Sequence, residues 1–195
     1  DAARARFVAA RLLLRRSAST VVGCAPDDVR VEVDDAGRPF VVGSPTPLYV
    51  SIAHSGDYVV VAVASRRVGV DIERLPATPL HVGIAKRICS MTELRDIARL
   101  DPSLRERAVM RLWTRKEAYG KAIGVGLGFP VRTITAGPRG SRITAADPTL
   151  PATRWGPGDR WRVVDVPVDP AYAAALVADG RRWRAHTHAV GSADL

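Results

Sequence analysis

Residues 48–73 read LYVSIAHSGDYVVVAVASRRVGVDIE, and this stretch decides the fold. Two apolar runs, residues 48–53 and 58–64, flank the turn HSGD, and a third run, RVGVDIE, follows the short basic turn SRR. Short apolar runs that are bounded by turn residues are typical of buried strands. The stretch therefore predicts three consecutive strands at the centre of the molecule.

Helical periodicity lies on both sides of these strands. Residues 2–18 form one helical pattern, and further helical patterns dominate from about 79 to 123. The second region is interrupted near Ser90 and at DPS, where Asp101 or Ser103 could cap the long helix. Strands are predicted again further along the chain, over residues 131–136, 141–146, 160–168, 172–178 and 182–190. This order of elements predicts the α+β class.

Composition bounds the class of partner. The chain has 195 residues, which suits one domain or two small related halves, and its formal net charge at pH 7 is +9. Such a charge indicates an anionic partner: a nucleic acid, a phosphorylated cofactor or an acidic protein. The basic residues are spread along the chain and few aromatics lie among them, which disfavours a nucleic acid. Of the 29 basic residues only Lys86, Lys116 and Lys121 are lysines, and two of them flank Glu117.

The cysteines and the hydropathy pattern predict a cytoplasmic protein. Cys24 and Cys89 are isolated and form no CxxC pair, which suits a reducing compartment. No apolar run approaches the length of a membrane span, and no signal peptide is visible. The chain begins at Asp1 and enters helical periodicity at once, so we expect that residues upstream of it are missing.

Three carboxylates and one ammonium form the first candidate site. Asp71 and Glu73 alternate with apolar residues on one predicted strand, so both carboxylates point to the same side. If Glu117 projects from the long helix onto this strand, three hard oxygen ligands converge, and such a set suits Mg²⁺ or Mn²⁺. Lys121 follows Glu117 by one helical turn. The competing interpretations are a solvated edge strand for Asp71 and Glu73, and an ordinary surface ion pair on the helix.

Basic residues near turns form the second candidate site. His54 lies at the end of a predicted strand, and Arg38 precedes a rigid proline in AGRPF, where each could meet a phosphate. Arg6 falls on the apolar side of the first helix, where it either snorkels at the edge or holds a phosphate. A structural histidine and an exposed turn arginine are the alternatives for His54 and Arg38. Trp113 is predicted to lie in the core.

Four motifs in order resemble the 4′-phosphopantetheinyl transferases of the surfactin-synthetase-activating (Sfp) type. They are GRP, SIAHS, VGVDIE and WTRKEAYGK, and they stand where that family carries G-[KR]-P, S-x-[SA]-H-S, [VI]-G-[VI]-D-[VI]-E and W-[ST]-x-K-E-[AS]-x-x-K. The segment IAKRICSMTE resembles the family's partner-docking region. The resemblance covers about residues 30 to 135 well and the two ends more loosely.

The resemblance implies an α+β fold of two similar halves, related by a pseudo-twofold axis, with coenzyme A in the cleft between them. The halves would divide near Arg66, into residues 1–66 and 67–195. The implied reaction moves the phosphopantetheine arm of coenzyme A onto a serine of a carrier protein and releases adenosine 3′,5′-bisphosphate. The implied carriers belong to fatty-acid, polyketide or nonribosomal peptide synthases, and the enzyme is expected to be a monomer.

The resemblance also implies a role for each candidate residue. Asp71, Glu73 and Glu117 would hold Mg²⁺, for which Mn²⁺ could substitute, and Glu117 could also take the proton from the serine hydroxyl. The implied substrate contacts are Lys121 at the leaving phosphate, Lys116 at the pyrophosphate, Arg38 and His54 at the 3′-phosphate, Gly37 and Pro39 along the adenine, and Arg6 or Arg11 as part of a basic contact set. Two departures stand out: Ala53 replaces a common serine, and the family's usual N-terminal stretch is missing.

Two other functions compete with this interpretation. A different metal-dependent phosphotransferase or phosphohydrolase could use the same carboxylates without needing a carrier protein. A basic nucleic-acid-binding module would instead have a purely structural acidic cluster, and its binding would depend steeply on salt.

Overall fold

The computed structural model describes residues 2–33, 39–44, 46, 48–77, 82–125, 130–137, 142–145, 161–180 and 182–191. The described helices are α1 (Ala2–Val22), α2 (Val82–Ile88), α3 (Met91–Ala98) and α4 (Pro102–Ile123). The described strands are β1 (Arg30–Val33), β2 (Pro39–Val42), β3 (Tyr49–Ser55), β4 (Tyr58–Ala64), β5 (Val68–Arg74), β6 (Ile134–Thr135), β7 (Thr144–Ala145), β8 (Trp161–Asp165) and β9 (Tyr172–Asp179). This mixture of helices and sheets confirms the predicted α+β class.

The first sheet contains β1 to β4 in sequence order, and all its neighbouring strands are antiparallel. Helix α1 packs on it, mainly against β4. The buried side chains of α1 include Ala10, Leu14 and Ala18, which are four residues apart and therefore lie on one helix face. Arg6 continues this row and is half-buried. The helix thus covers the sheet with small and aliphatic side chains and places Arg6 at the edge of the contact.

The second sheet has the order β5-β9-β8, and it packs its two faces against different elements. Helix α4 lies on one face, with Tyr119 and Trp161 in the buried cluster between them. Gly69 is required at this contact, because a Cβ there would clash with the carbonyl oxygen of Ala118 on α4. The opposite face of β5 carries Val70 and packs against the first sheet. Strand β5 is therefore buried between α4 and the β3–β4 hairpin.

Two serine side chains join the sheets. Ser51 Oγ accepts a hydrogen bond from Val70 N over 3.1 Å, and Ser55 Oγ accepts one from Arg74 N over 3.0 Å. The spacing of four residues is the same on both strands, so β3 and β5 run side by side in the same direction. This arrangement brings the tip of the β3–β4 hairpin next to the end of β5.

The caps of the helices explain where they begin and end. Ser90 begins α3 with a capping box, in which its side chain accepts from Glu93 N and the Glu93 side chain accepts from Ser90 N. Asp101 caps α4 by accepting from the backbone of Ser103, and Gly124 ends α4 with a positive φ of 78°. The predicted breaks near Ser90 and at DPS are confirmed, and Asp101 provides the cap.

The third group of strands is shorter than predicted. Residues 131–133 form a 3-10 turn, which leaves only the two-residue pair of β6 and β7 from the strands predicted there. The predicted strand at 182–190 is wrong: within the described chain this segment pairs with no strand, and most of its side chains are exposed. Its alternating pattern lacks a continuous apolar face that would dock it on the sheet.

None of the described helices has both the length and the hydropathy that crossing a bilayer requires.

Candidate functional site

An ion pair between β5 and α4 lies at the centre of the candidate site. Lys121 Nζ lies 2.8 Å from Asp71 Oδ1 and also donates to the carbonyl oxygen of Val70 over 3.2 Å. Asp71 is only 5% exposed, and its second oxygen, Oδ2, is buried without a hydrogen-bond partner. A buried carboxylate oxygen without a partner is unusual in folded proteins, and a bound cation is one group that would satisfy it.

The electrostatics place Glu73 and Glu117 near this pair. Burial raises the pKa of Asp71 to about 6, with Lys121 opposing the shift and Glu73 adding to it. Burial also raises the pKa of Glu117. The charges of Asp71 and Glu73 add to this shift, and the charge of Lys121 opposes it. The charges of the three carboxylates and of the ammonium therefore act on one another between β5 and α4, while a direct contact is shown for Lys121 with Asp71. We call these four residues the acidic cluster.

Hydrogen-bond donors from two elements contact Glu73. Ser55 Oγ, on β3, donates to Glu73 Oε2 over 3.0 Å, and Trp113 Nε1, on α4, donates to Oε1 over 3.4 Å. Trp113 packs partly against the core between α2 and α4, as predicted, but its contact with Glu73 was missed. A signal existed, since Trp113, Glu117 and Lys121 are spaced by four residues and so share one face of α4.

The donor chemistry of the cluster fits a hard divalent cation. Three carboxylates, one of which has the unpaired Oδ2 of Asp71, offer the oxygen ligands that Mg²⁺ and Mn²⁺ prefer. In the present conformation, Lys121 occupies the other oxygen of Asp71. Among the described residues, no three His, Cys, Asp or Glu side chains converge closely enough to hold a metal ion. The metal site therefore stays a prediction, and a side chain must move to complete it.

The structure pairs Lys116 with Glu93 in the interior, which argues against its implied contact with pyrophosphate. The Lys116 side chain is fully buried, with Nζ 2.6 Å from Glu93 Oε2 and 2.9 Å from the carbonyl oxygen of Ile88. Glu93 also accepts from Ser90 N and Ala136 N. Successive residues on a helix differ in direction by about 100°, so Lys116 points away from the face that carries Glu117. Lys116 belongs to a buried ion pair that joins α2, α3 and α4.

The described members of the set predicted to bind the adenosine end lie on the first sheet and on α1. His54 is exposed on β3, directly before Ser55, and Pro39 is the half-buried first residue of β2. Gly37 and Arg38 lie outside the described residues. Among the described residues, no hydrogen bond or ion pair joins Arg6, His54 and Pro39 to one another. Of the described members of this set, only His54 lies on a hairpin that contacts the acidic cluster, through Ser55.

A separate groove of about 850 Å³ lies between β8 and residues 182–187. Three arginines line it, but the carboxylate in its wall, Asp165, is already paired with Arg111 and Arg115. The residues of the acidic cluster do not line this groove. The acidic cluster, and not this groove, is therefore the candidate site.

Replacing Asp71 by Asn is expected to stabilise the metal-free protein at neutral pH. The pKa of Asp71 is raised in the folded state, so its contribution to stability is complete below pH 3.8 and is lost as pH rises through about 6. We expect the free energy of unfolding at pH 7.5 to increase by up to about 3 kcal/mol. Urea unfolding in a chelating buffer checks this.

The gain should vanish near pH 4, where native and variant side chains are both neutral. Asp28→Asn, at an exposed position, is the matched control and should change little at either pH. An equal loss of stability at both pH values would mean that Asp71 is held by geometry rather than penalised by burial.

The chain is similar to known proteins along its length. A family model described as 4′-phosphopantetheinyl transferase superfamily matches residues 67–175, and a second, described as 4′-phosphopantetheinyl transferase, N-terminal, matches residues 1–66. The chain is 33% identical over 120 residues to a 4′-phosphopantetheinyl transferase of Bacillus subtilis, covering 62% of this chain and 52% of that protein. It is 28% identical over 184 residues to the 4′-phosphopantetheinyl transferase HetI of a Nostoc species, covering 93% and 73%.

A vertebrate protein is similar as well. The L-aminoadipate-semialdehyde dehydrogenase-phosphopantetheinyl transferase of Xenopus laevis is 33% identical over 144 residues, covering 65% of this chain and 46% of that protein. The chain spans about half the length of the first curated relatives it matches.

Proposed function

The chain belongs to the 4′-phosphopantetheinyl transferase superfamily, and from that premise we propose that it transfers the 4′-phosphopantetheine arm of coenzyme A to a serine of an apo carrier protein. The product released is adenosine 3′,5′-bisphosphate. The observation that supports the proposal is the ion pair of Asp71 and Lys121 between β5 and α4, with Glu117 close enough for both charges to act on its carboxyl group. The cluster holds both the negative charge that a divalent cation needs and the ammonium that a leaving phosphate needs.

The proposed metal ligands are Asp71, Glu73 and Glu117. Mg²⁺ bound there, or Mn²⁺ in its place, would neutralise charge on the pyrophosphate of coenzyme A. The partnerless Oδ2 of Asp71 and the carboxylate-only donor set support this assignment.

The proposed transfer uses two residues of α4. Glu117 takes the proton of the carrier serine, whose Oγ forms a bond to the phosphorus on the pantetheine side of the pyrophosphate. The bond from that phosphorus to the bridging oxygen breaks, and the electron pair leaves with adenosine 3′,5′-bisphosphate. Lys121 stabilises or protonates that leaving phosphate. The raised pKa of Glu117 supports its role, because a carboxylate with a higher proton affinity is a stronger base near neutral pH.

The adenosine end of coenzyme A is assigned to the N-terminal half, residues 1–66. His54 and Arg38 are proposed to hold the 3′-phosphate, and the backbone of Gly37 and Pro39 to lie along the adenine. Arg6 is proposed as a further basic contact, supported by its half-buried place at the edge of α1. We keep the proposal of two similar halves that divide near Arg66, related by a pseudo-twofold axis.

The proposed partners are carrier proteins of fatty-acid, polyketide or nonribosomal peptide synthases, modified by a monomeric enzyme. The net charge of +9 supports an acidic macromolecular partner. The cytoplasm is the proposed compartment, in keeping with the free thiols of Cys24 and Cys89.

Mixing the chain with coenzyme A, Mg²⁺ and an apo carrier protein tests the function directly. Mass spectrometry of the carrier should show the gain of one phosphopantetheine arm, and a carrier whose acceptor serine is replaced by Ala should gain nothing. Breakdown of coenzyme A without modification of any carrier would favour the competing phosphohydrolase. Tight, salt-sensitive binding of DNA or RNA without transfer would favour the nucleic-acid-binding module.

Helix α2 is the proposed docking surface for the carrier. Lys86 and Arg87 are exposed on it, and Ile84 and Met91 beside them are exposed apolar side chains. Ile88, which belongs to the same segment IAKRICSMTE, is buried in the core. The surface therefore combines two positive charges with a small apolar contact.

Reversing both charges, Lys86→Glu with Arg87→Glu, is expected to lower kcat/KM for the carrier by about 10-fold at low salt, because electrostatic steering is lost. The KM for coenzyme A should stay the same. Carrier turnover at two ionic strengths, with coenzyme A saturating, measures both effects. Arg182→Glu with Arg184→Glu makes the same change of charge on exposed residues elsewhere and is the control. An unchanged salt response in the α2 variant would place docking on another surface.

A further inference from the structure

Both carboxylate oxygens of Glu73 accept hydrogen bonds from side chains of other elements. Oε2 accepts from Ser55 at the end of β3, and Oε1 accepts from Trp113 on α4. Glu73 itself is half-buried near the end of β5. An unrestrained glutamate side chain there would sample several rotamers, and fixing it costs side-chain entropy. Two donors on opposite sides of the carboxylate remove that freedom in the folded state.

The hydroxyl of Ser55 has its single hydrogen committed to Glu73. Ser55 Oγ accepts from the backbone N–H of Arg74, which can only donate, so its own proton is free to point at Glu73 Oε2. Ser51 makes the corresponding bridge to Val70 N, but it contacts no carboxylate. The two serines therefore share one structural role, and Ser55 alone has the additional contact with the acidic cluster.

Trp113 links the same carboxylate to the helix that carries the reactive side chains. Its indole N–H is a donor only, and it lies one turn before Glu117 on the same face of α4. Trp183 also has a buried indole N–H, but that group has no hydrogen-bond partner among the described residues. The chain thus offers a matched tryptophan that lacks the contact.

We propose that Ser55 and Trp113 are positioning residues that fix the Glu73 carboxylate for the divalent cation of the acidic cluster. The inference rests on the proposed function, since it needs the proposed metal site. Groups that hydrogen-bond a metal-ligating carboxylate orient it, and removing one typically costs about 10- to 100-fold in metal affinity. Ser55 follows His54, so the same contact ties the hairpin proposed to hold the 3′-phosphate to the metal-binding strand.

Binding of Mn²⁺, measured by electron paramagnetic resonance with and without coenzyme A, tests the proposal. Ser55→Ala and Trp113→Phe should each weaken Mn²⁺ binding by about 10-fold. Ser51→Ala and Trp183→Phe remove the matched side chains without touching Glu73, and they should bind Mn²⁺ like the native chain. Ser55→Thr keeps the hydroxyl and should restore most of the affinity. Thermal melting of every variant shows whether it remains folded.

The outcomes separate this inference from the proposed function. Native-like Mn²⁺ affinity in both Ser55→Ala and Trp113→Phe would overturn the positioning role, as would equal losses in the Ser51→Ala and Trp183→Phe controls. Absence of Mn²⁺ binding by the native chain in both conditions would overturn it too. The carrier assay described above reads the proposed function separately, because transfer by the native chain does not depend on how these variants bind Mn²⁺.

Discussion

Replacing Glu117 by Gln is expected to lower kcat for carrier modification by about 10²- to 10⁴-fold, the usual contribution of a general base. Gln has nearly the same shape but can neither accept the serine proton nor supply a ligand charge, so a metal defect should add to the loss. The folded state should be unaffected or slightly stabilised, because burial and the charges of Asp71 and Glu73 disfavour the ionised side chain. Steady-state kinetics with saturating coenzyme A measures the effect.

The role of Glu117 also predicts how kcat depends on pH. In the metal-free chain the pKa of Glu117 is raised, so Glu117 takes up a proton at a higher pH than an ordinary glutamate, and at limiting Mg²⁺ kcat should fall as pH decreases through that raised pKa. This acidic limb should disappear in Glu117→Gln. Glu32→Gln, at an exposed position on β1, is the control and should keep both the rate and the limb. Full restoration of kcat by raised Mg²⁺ would make Glu117 a ligand and not the base.

The central strands and the helix caps could be predicted from the sequence because their signals are local. The apolar runs of β3, β4 and β5 have turn residues at their ends, and Ser90 and Asp101 are capping residues by type and spacing. The pattern of residues 182–190 also predicted a strand, but a strand needs a partner with unpaired backbone groups. No local pattern reports whether that partner exists.

The acidic cluster was predictable because strand and helix periods fix side-chain direction once the two elements are known to pack. The same rule explains why Lys116 lies apart from the cluster. Its position beside Glu117 suggested a shared site, yet adjacent helical residues point in different directions, while Trp113 at the four-residue spacing does reach the cluster. The partner of Lys116 is Glu93, 23 residues earlier in the chain, where the sequence shows only a capping-box glutamate. Long-range pairs of this kind become visible only with the fold.

Replacing Lys116 by Met is expected to lower the free energy of unfolding by about 3 to 5 kcal/mol at neutral pH, because it leaves Glu93 as a buried charge without its cation. Both side chains of this pair are fully buried, and Met fills a similar volume. Burial lowers the pKa of Lys116 and Glu93 opposes that shift, so the ammonium depends on its partner. A loss of this size is a large part of the total stability of a typical domain, about 5 to 15 kcal/mol. Urea unfolding measures it.

Removing both charges should be far less costly than removing one. In Lys116→Met with Glu93→Gln, the amide can still accept from Ser90 N or Ala136 N, and no unpaired charge remains buried. We expect this double variant to recover most of the lost stability.

Kinetics on the same variants decide between the two roles that Lys116 has been given. If Lys116 serves only the buried pair, the double variant should transfer phosphopantetheine with nearly native KM for coenzyme A, since neither side chain reaches the acidic cluster. A double variant that is stable but has a strongly raised KM would show that Lys116 contacts the pyrophosphate in the substrate complex. That contact would require Nζ to leave both Glu93 Oε2 and the carbonyl oxygen of Ile88. Such an exchange leaves the fully buried carboxylate of Glu93 without its cation, and its cost is the physical reason to expect the structural role.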